Sequence, residues 1–319
     1  MDATQHILFS VFGLPVTAYA LCLAVSLGAG LLCFFRLGKK KALLEDALWR
    51  CALLSLPLGL LGARLFYCLS SFYLYEEVGL NAIFRFWEGG YCLWGAVAGA
   101  ALAAFLAAKS TRQPAAPLLD ALAVSGALVI ALARLAEYFS GEGIGPYVEN
   151  EALQFFPLAV FRADYEIWYL AVFVLEALAA LAIFLILLRR QRPAGHSARL
   201  FLLLYSACQL TLESLRRDHA PRWLFVRVNQ LTAILVIVGL MLFALIRWAR
   251  AKEKPLSGKR AAFLWGTVAV CAGIIVAMEF SFDGKILQDL PVWAGYGIMA
   301  LSSLGIGAAA HSLIFSQIA

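Results

Sequence analysis

Arg134 and Glu137, three residues apart in an otherwise apolar stretch, are the first place where this sequence can do chemistry. On a helix such a pair shares a face and can form an ion pair. The run that follows, Ser140-Gly141-Glu142-Gly143-Ile144-Gly145, breaks the helix with glycines that let a ligand approach the backbone closely. Backbone donors beside an arginine make a good anion site. A second set is Tyr205, Gln209 and Glu213 at spacings of four, with Arg216 beyond them. These lie along one drifting helical stripe. The stripe reads as one wall of a wet cavity, or as a packing seam between helices. A third is Arg64, in the apolar run from Gly62 to Tyr67, where a buried arginine needs a carboxylate or phosphate partner. Asp120 and Glu176 stand singly in apolar runs, and helix-to-helix pairing is the simpler reading for each. Several arginines and carboxylates thus gather toward one membrane face, and the natural ligand of such a site is a lipid phosphate.

Other chemistries find no support. There is no H-E-x-x-H, G-x-S-x-G, Walker A or G-x-G-x-x-G pattern, so zinc proteases, serine hydrolases and nucleotide enzymes are disfavoured. The seven cysteines are dispersed without a C-x-x-C, which argues against a disulfide framework and a zinc site. No metal and no cofactor is expected.

The elements that must position these residues are membrane spans. The chain has 319 residues, of which 63% are hydrophobic and 14% charged, with a mean hydropathy of +0.83. A soluble domain is about 25% charged, so this chain lacks the polar residues for an aqueous shell. Runs of about 20 apolar residues are the unit to seek. Nine appear, at 13–35, 48–70, 91–108, 117–139, 166–188, 200–215, 229–248, 261–281 and 291–315. The sixth is short and polar, as befits a helix packed inside a bundle. The fold class expected is therefore an all-α polytopic membrane protein.

Most Lys and Arg fall in the segments 36–41, 109–112, 189–199 and 247–260, which the positive-inside rule assigns to the cytoplasm. The N-terminus is then outside and the C-terminus inside. The net charge of +6 divides among these loops, and nothing in it asks for nucleic acid. One outside segment breaks the bias: 216–227 carries Arg216, Arg217, Arg222 and Arg227. The domain reading is a seven-span body over 1–250 with a small outer head (71–90 and 140–165), a basic cytoplasmic linker at 251–260 and a two-helix extension at 261–319.

The chain resembles the prolipoprotein diacylglyceryl transferase family. The family signature G-R-x-G-N-F-x-N-G-E-x-x-G corresponds to Ala133-Arg134-Leu135-Ala136-Glu137-Tyr138-Phe139-Ser140-Gly141-Glu142-Gly143-Ile144-Gly145. The family's aspartate before that arginine corresponds to Asp120, and G-G-R-x-G-Y resembles Gly62-Ala63-Arg64-Leu65-Phe66-Tyr67. A tyrosine after a short turn corresponds to Tyr19, Y-G-x-x-R-x-x-x-E to Tyr205 through Gln209 to Glu213, and G-Q to Asn229-Gln230. Three polar family positions differ: the histidine of H-G-G-L-x-G is Trp94, the signature asparagine is Glu137, and a second arginine is Gln209. The resemblance covers about residues 7–250.

It implies a seven-span fold in the bacterial inner membrane with two added C-terminal spans. It also implies an enzyme that moves the diacylglyceryl group of phosphatidylglycerol to the lipobox cysteine thiol of a prolipoprotein signal peptide. Arg134, Glu137, Glu142 and Glu213 are then the catalytic candidates, with Glu137 as base. Tyr19, Arg64, Trp94, Gly141, Gly145, Tyr205, Gln209 and Arg216 are the substrate-binding candidates, with Arg216 or Arg217 standing in for the lost arginine. Two other readings stay open: a divergent member acting on another lipid or acceptor, and a non-catalytic lipid-binding protein or transporter.

Overall fold

The computed structural model describes residues 7–11, 14–163, 166–189, 193–218, 221–223, 226–250 and 256–316. The terminal residues 1–6 and 317–319, parts of the predicted basic loops (190–192 and 251–255), and 164–165 of the predicted head lie outside the described residues.

The chain opens with a short antiparallel ribbon, β1 (Ile7–Val11) and β2 (Leu14–Thr17). Thr17 caps the next helix, its hydroxyl accepting from the Ala20 amide at 3.2 Å. The helices are α1 (Ala18–Lys40), α2 (Glu45–Ser70), the short α3 (Phe72–Val78), α4 (Leu93–Thr111) and α5 (Ala115–Ser140). A sheet of β3 (Ile144–Tyr147), β4 (Ala159–Arg162) and β5 (Ile167–Ala171) follows. Then come α6 (Val172–Leu188), α7 (His196–Leu215), the pair β6 (Arg222–Trp223) and β7 (Val226–Arg227), α8 (Val228–Arg250), α9 (Gly258–Phe282) and α10 (Val292–Phe315).

Seven of these helices are long and apolar enough to cross a membrane: α1, α2, α4, α5, α8, α9 and α10. The chain is a polytopic membrane protein. The fifth and sixth predicted segments depart from expectation. The fifth starts at Val172 rather than 166, because Ile167–Ala171 pairs between β3 and β4, with Val160 opposite Tyr169. That leaves α6 with only 17 residues. The sixth, α7, is a helix, but it is too polar to count among the spans. Its polar side chains are sequestered instead, with Tyr205, Ser206, Gln209 and Glu213 all buried. The predicted head also divides in character. Residues 71–90 fold as α3 and two 3-10 turns, whereas the stretch after α5 is a three-stranded antiparallel sheet in the order β3-β5-β4.

The structure divides into two compact units: residues 1–201 with 216–228, and residues 202–215 with 229–319. Most of α7 and all but the first residue of α8 fall in the second unit with the C-terminal pair. In the first unit, α2 and α4 approach at glycines. A Cβ on Gly95 would collide with the Gly62 carbonyl, and one on Gly99 with the Leu58 carbonyl. Without a hydrophobic driving force between helices in lipid, such small-residue contacts are what let the backbones pack. At the far end of α5 from Arg134, fully buried Asp120 accepts from the Gly195 and Ala198 amides at 2.8 and 2.9 Å. It therefore caps the start of α7, and Lys41 lies 3.3 Å away. Asp120 is thus part of the helix scaffold, in keeping with the simpler reading.

In the second unit α10 is the inner helix, with 56% of its membrane-length window buried against 11% for α9. Polar contacts tie α10 to α7: the Thr211 and Ser303 hydroxyls are 2.9 Å apart, and the Tyr296 hydroxyl donates to the Ser214 carbonyl at 3.4 Å.

Candidate active site

The last turns of α5 bring the predicted pair together. The Arg134 guanidinium donates to Glu137 Oε1 through Nη1, and its Nε lies 3.3 Å from Glu176 Oε2 on α6. Arg216, just past the end of α7, donates through Nη1 to the same Glu176 oxygen at 2.8 Å. The same Nη1 lies 3.5 Å from Glu137 Oε2. Two arginines therefore share two carboxylates, all four buried or nearly so.

The chain after α7 closes the network. Arg216 chelates Asp218, with Nε 3.0 and 3.2 Å from its two oxygens and Nη2 also donating. Asp218 Oδ2 accepts the Gly143 amide at 3.1 Å, so the glycine turn after α5 is tied to the arginine segment. Arg227 donates to the Arg216 carbonyl and reaches Asp218 Oδ1 at 3.6 Å. Charge-assisted bonds of this kind are about twice as strong as neutral ones, and several together fix the geometry of the site.

The glycines have separate duties. Gly141 ends α5 at φ +80, its amide bonding back to the Glu137 carbonyl at 2.9 Å. The Arg162 guanidinium of β4 lies against its open face. Gly143, at φ +68, sits where a Cβ would overlap Glu137 Oε2 and lie 2.7 Å from Phe173 Cβ. Gly145 is buried in β3.

Glu137 Oε2 is buried and accepts no hydrogen bond among the described residues; Arg216 Nη1 lies 3.5 Å from it. Glu142 sits beside the network. Its outer edge is open to solvent, yet the protein packed around the carboxyl disfavours its charge. The Glu137 carboxylate adds to that, so Glu142 holds its proton above the usual carboxylate range. For Asp218 burial also works against the charge, but the Arg216 hydrogen bond and charge, the Gly143 amide and Arg227 prevail and hold it below its ordinary value. Burial and Arg134 oppose the Arg216 charge, but Glu176, Glu137 and Asp218 more than offset them, so Arg216 is held firmly cationic. Tyr19, in the first turn of α1, lies within electrostatic range of Glu142, Glu137 and Arg134.

The structure therefore brings together Tyr19, Arg134, Glu137, Gly141, Glu142 and Arg216. Glu176, Asp218, Arg227 and Arg162 belong to the same neighbourhood but were not among the expected site residues. The one sequence signal for Arg227 and Asp218 was the cluster of arginines at 216–227, where the positive-inside bias fails. Arg64 makes a separate set of contacts among the described residues. It donates to the carbonyls of Ile83 (3.1 Å), Ala82 (2.8 Å), Arg85 (3.2 Å), Gly89 and Gly90 (3.3 Å), and so holds the 82–90 loop in place. Carbonyl dipoles thus serve much of this buried guanidinium's hydrogen-bonding capacity. Trp94 is buried at the start of α4. Tyr205, Gln209 and Glu213 belong to the second unit, where Asn229 donates to Glu213 Oε2 at 3.3 Å.

Membrane-length helices with a buried arginine–carboxylate network at the end of one of them define a multi-pass membrane protein whose polar machinery sits at a membrane face. A family model for prolipoprotein diacylglyceryl transferase matches residues 6–246, and the chain belongs to that family. Relatives named phosphatidylglycerol–prolipoprotein diacylglyceryl transferase include one from Mycobacteroides abscessus, 28% identical over 264 residues and covering 76% of both chains. Another, from Frankia alni, is 30% identical over 240 residues, 73% of this chain and 63% of the relative. A third, from Streptococcus suis, is 28% identical over 242 residues, 73% of this chain and 89% of the relative.

Proposed function

We propose that this protein is a phosphatidylglycerol–prolipoprotein diacylglyceryl transferase of the bacterial inner membrane, with the N-terminus and the site on the outer side. The substrates are phosphatidylglycerol and the lipobox cysteine of a prolipoprotein signal peptide. The thiol sulfur forms a bond to the terminal glycerol carbon of the diacylglyceryl group as the ester C–O bond to phosphate breaks. Glycerol phosphate leaves with the bonding pair, and the thiol proton passes to a base.

Each requirement has a residue. The leaving phosphate needs cations aimed at it in a site shielded from water. Arg134 and Arg216 supply them, and both are held in register by Glu176. Arriving phosphate competes with the carboxylates for these guanidinia and so displaces Glu137. A thiol with an ordinary pKa of about 8.5 must lose its proton to attack. Glu137, whose Oε2 accepts no hydrogen bond among the described residues, is the acceptor. The Gly141–Gly143 turn leaves the space a side chain would fill. Tyr19 and Glu142 flank the glycerol, and the family resemblance assigns Glu213 a part in catalysis. Arg64 acts by fixing the 82–90 loop.

The observation that carries this reading is the sharing of Glu137 and Glu176 by Arg134 and Arg216 beside the glycine turn. It is tested by expressing the chain in a strain depleted of its own transferase. Thioether-linked diacylglycerol on a reporter lipoprotein supports it. Membrane expression without that modification contradicts it.

A further inference from the structure

The C-terminal helix pair lies beyond the residues that the family model matches, which end at 246. Its polar side chains nonetheless converge on one short stretch of α7 and the start of α8. Glu279 of α9 accepts from Gln230 Nε2 at 2.7 Å, and the same amide nitrogen donates to the Leu210 carbonyl at 3.1 Å. Asn229, the neighbour of Gln230, donates to Glu213 Oε2 at 3.3 Å. From α10, Ser303 meets Thr211 at 2.9 Å, and the Tyr296 hydroxyl donates to the carbonyl of Ser214 at 3.4 Å. Thr211, Ser214 and Gln230 therefore bracket Glu213 and its Asn229 partner, and each is held from α9 or α10. Glu213, Tyr296, Ser303 and Gln230 are all buried.

In hydrocarbon such contacts are selective, because a polar group that loses its partner finds no water to replace it. Three separate polar links to one short neighbourhood exceed what two apolar helices need in order to pack. Apolar packing is separate from these links: Gly307 of α10 faces Ala207 of α7, where a Cβ would lie at an ordinary contact distance of 3.5 Å.

We propose that α9 and α10 form a clamp that positions Glu213, making the extension a working part of the transferase. Glu279 is its positioning residue, acting through Gln230 and Asn229. Glu213's contribution to catalysis rests on the transferase reading above; the clamp itself does not.

The test uses the full chain in lipid nanodiscs. Glu279→Ala removes the side-chain acceptor for Gln230, and Glu279→Gln keeps a carbonyl acceptor there. The expected result is a tenfold or greater fall in kcat for E279A with KM for phosphatidylglycerol unchanged, and recovery to within threefold in E279Q. Backbone hydrogen exchange at 209–215 is expected to rise in E279A and to stay at the wild-type level in E279Q. Wild-type kcat and wild-type exchange in E279A overturn the clamp. If E279A does not fold, Tyr296→Phe and Ser303→Ala take its place in both measurements. A lower kcat with faster exchange in those variants supports the clamp, and wild-type values overturn it. If the wild-type chain has no transferase activity, the functional reading fails. Exchange at 209–215 then decides the clamp by itself, faster in E279A supporting it and unchanged overturning it.

Discussion

Glu137 Oε2 lies 3.5 Å from Arg216 Nη1, so an ion pair joins the end of α5 to the chain just beyond α7. Neither residue reaches the other through sequence proximity. Arg134 and Glu176 complete the arrangement, and removing any of the four takes one buried counter-charge from each of its partners. Such a removal costs about 3–5 kcal/mol in buried pairs.

Arg134→Ala is expected to lower kcat/KM by about two to three orders of magnitude, the usual scale for loss of a charge-stabilising donor. Arg134→Lys retains charge but not the fork that serves Glu137 and Glu176 together, and falls between. Initial rates with phosphatidylglycerol vesicles and a lipobox peptide measure both. Full activity in folded R134A removes the phosphate assignment.

Glu137→Gln keeps the side chain's size and its acceptor toward Arg134 but cannot take a proton at neutral pH. A rate loss of about 10²–10⁴ is expected, the range for a general base. The folded fraction by size-exclusion chromatography is expected to match wild type. A rate within threefold of wild type would move the base elsewhere.

Acid and neutral stability separate Asp218 from Glu142. Asp218 has a folded-state pKa below its ordinary 3.8, so its contribution is fully present above that value. The contribution is lost as pH falls through the lower folded value. Asp218→Asn is therefore expected to lower the melting temperature at pH 7 and to lose its effect at strongly acidic pH. Glu142 is shifted the other way, above 4.5, so the folded state binds its proton more tightly and stability declines as pH rises through that window. Glu142→Gln is expected to leave stability unchanged at pH 4 and to raise it slightly at pH 7. Melting curves of the detergent-solubilised protein at pH 7, at pH 4 and at strongly acidic pH check the two signs.

Gly143→Ala places a methyl against Glu137 and Phe173 in a backbone region that suits glycine. Strain of about 1–3 kcal/mol is expected from the conformation alone, with near-complete loss of activity because Glu137 must move. Gly126→Ala, with nothing within 4 Å of the added carbon, is the control and is expected to be silent.

Arg64→Ala is expected to act on the loop rather than on lipid affinity. It strips five carbonyls of one shared donor. Limited proteolysis within 79–90 should accelerate while the phosphatidylglycerol KM stays within twofold. A KM rise with an intact loop would return Arg64 to the phosphate.

The helical pattern and the Arg134–Glu137 pair were legible in the sequence because both follow from local spacing. So was the anomaly at 216–227, although it did not reveal that Arg216 and Arg227 face a carboxylate two residues past the first of them. The carbonyl partners of Arg64 were not legible because backbone acceptors carry no residue signature. The strand Ile167–Ala171 was hidden because IWYLA is as apolar as the helix it precedes; only pairing with β3 and β4 distinguishes it. The links from Glu279, Tyr296 and Ser303 were invisible because they join segments far apart in the chain through single polar atoms.

The most direct measurement is transfer in a defined system. The purified chain is reconstituted with phosphatidylglycerol labelled in its diacylglycerol moiety and given a lipobox peptide. The expected result is a thioether-linked diacylglyceryl peptide with equimolar glycerol phosphate from the wild type, and no more than about a hundredth of that rate from R134A and E137Q. Folded wild-type protein that makes no thioether, or variants that make it at the wild-type rate, would contradict the central claim.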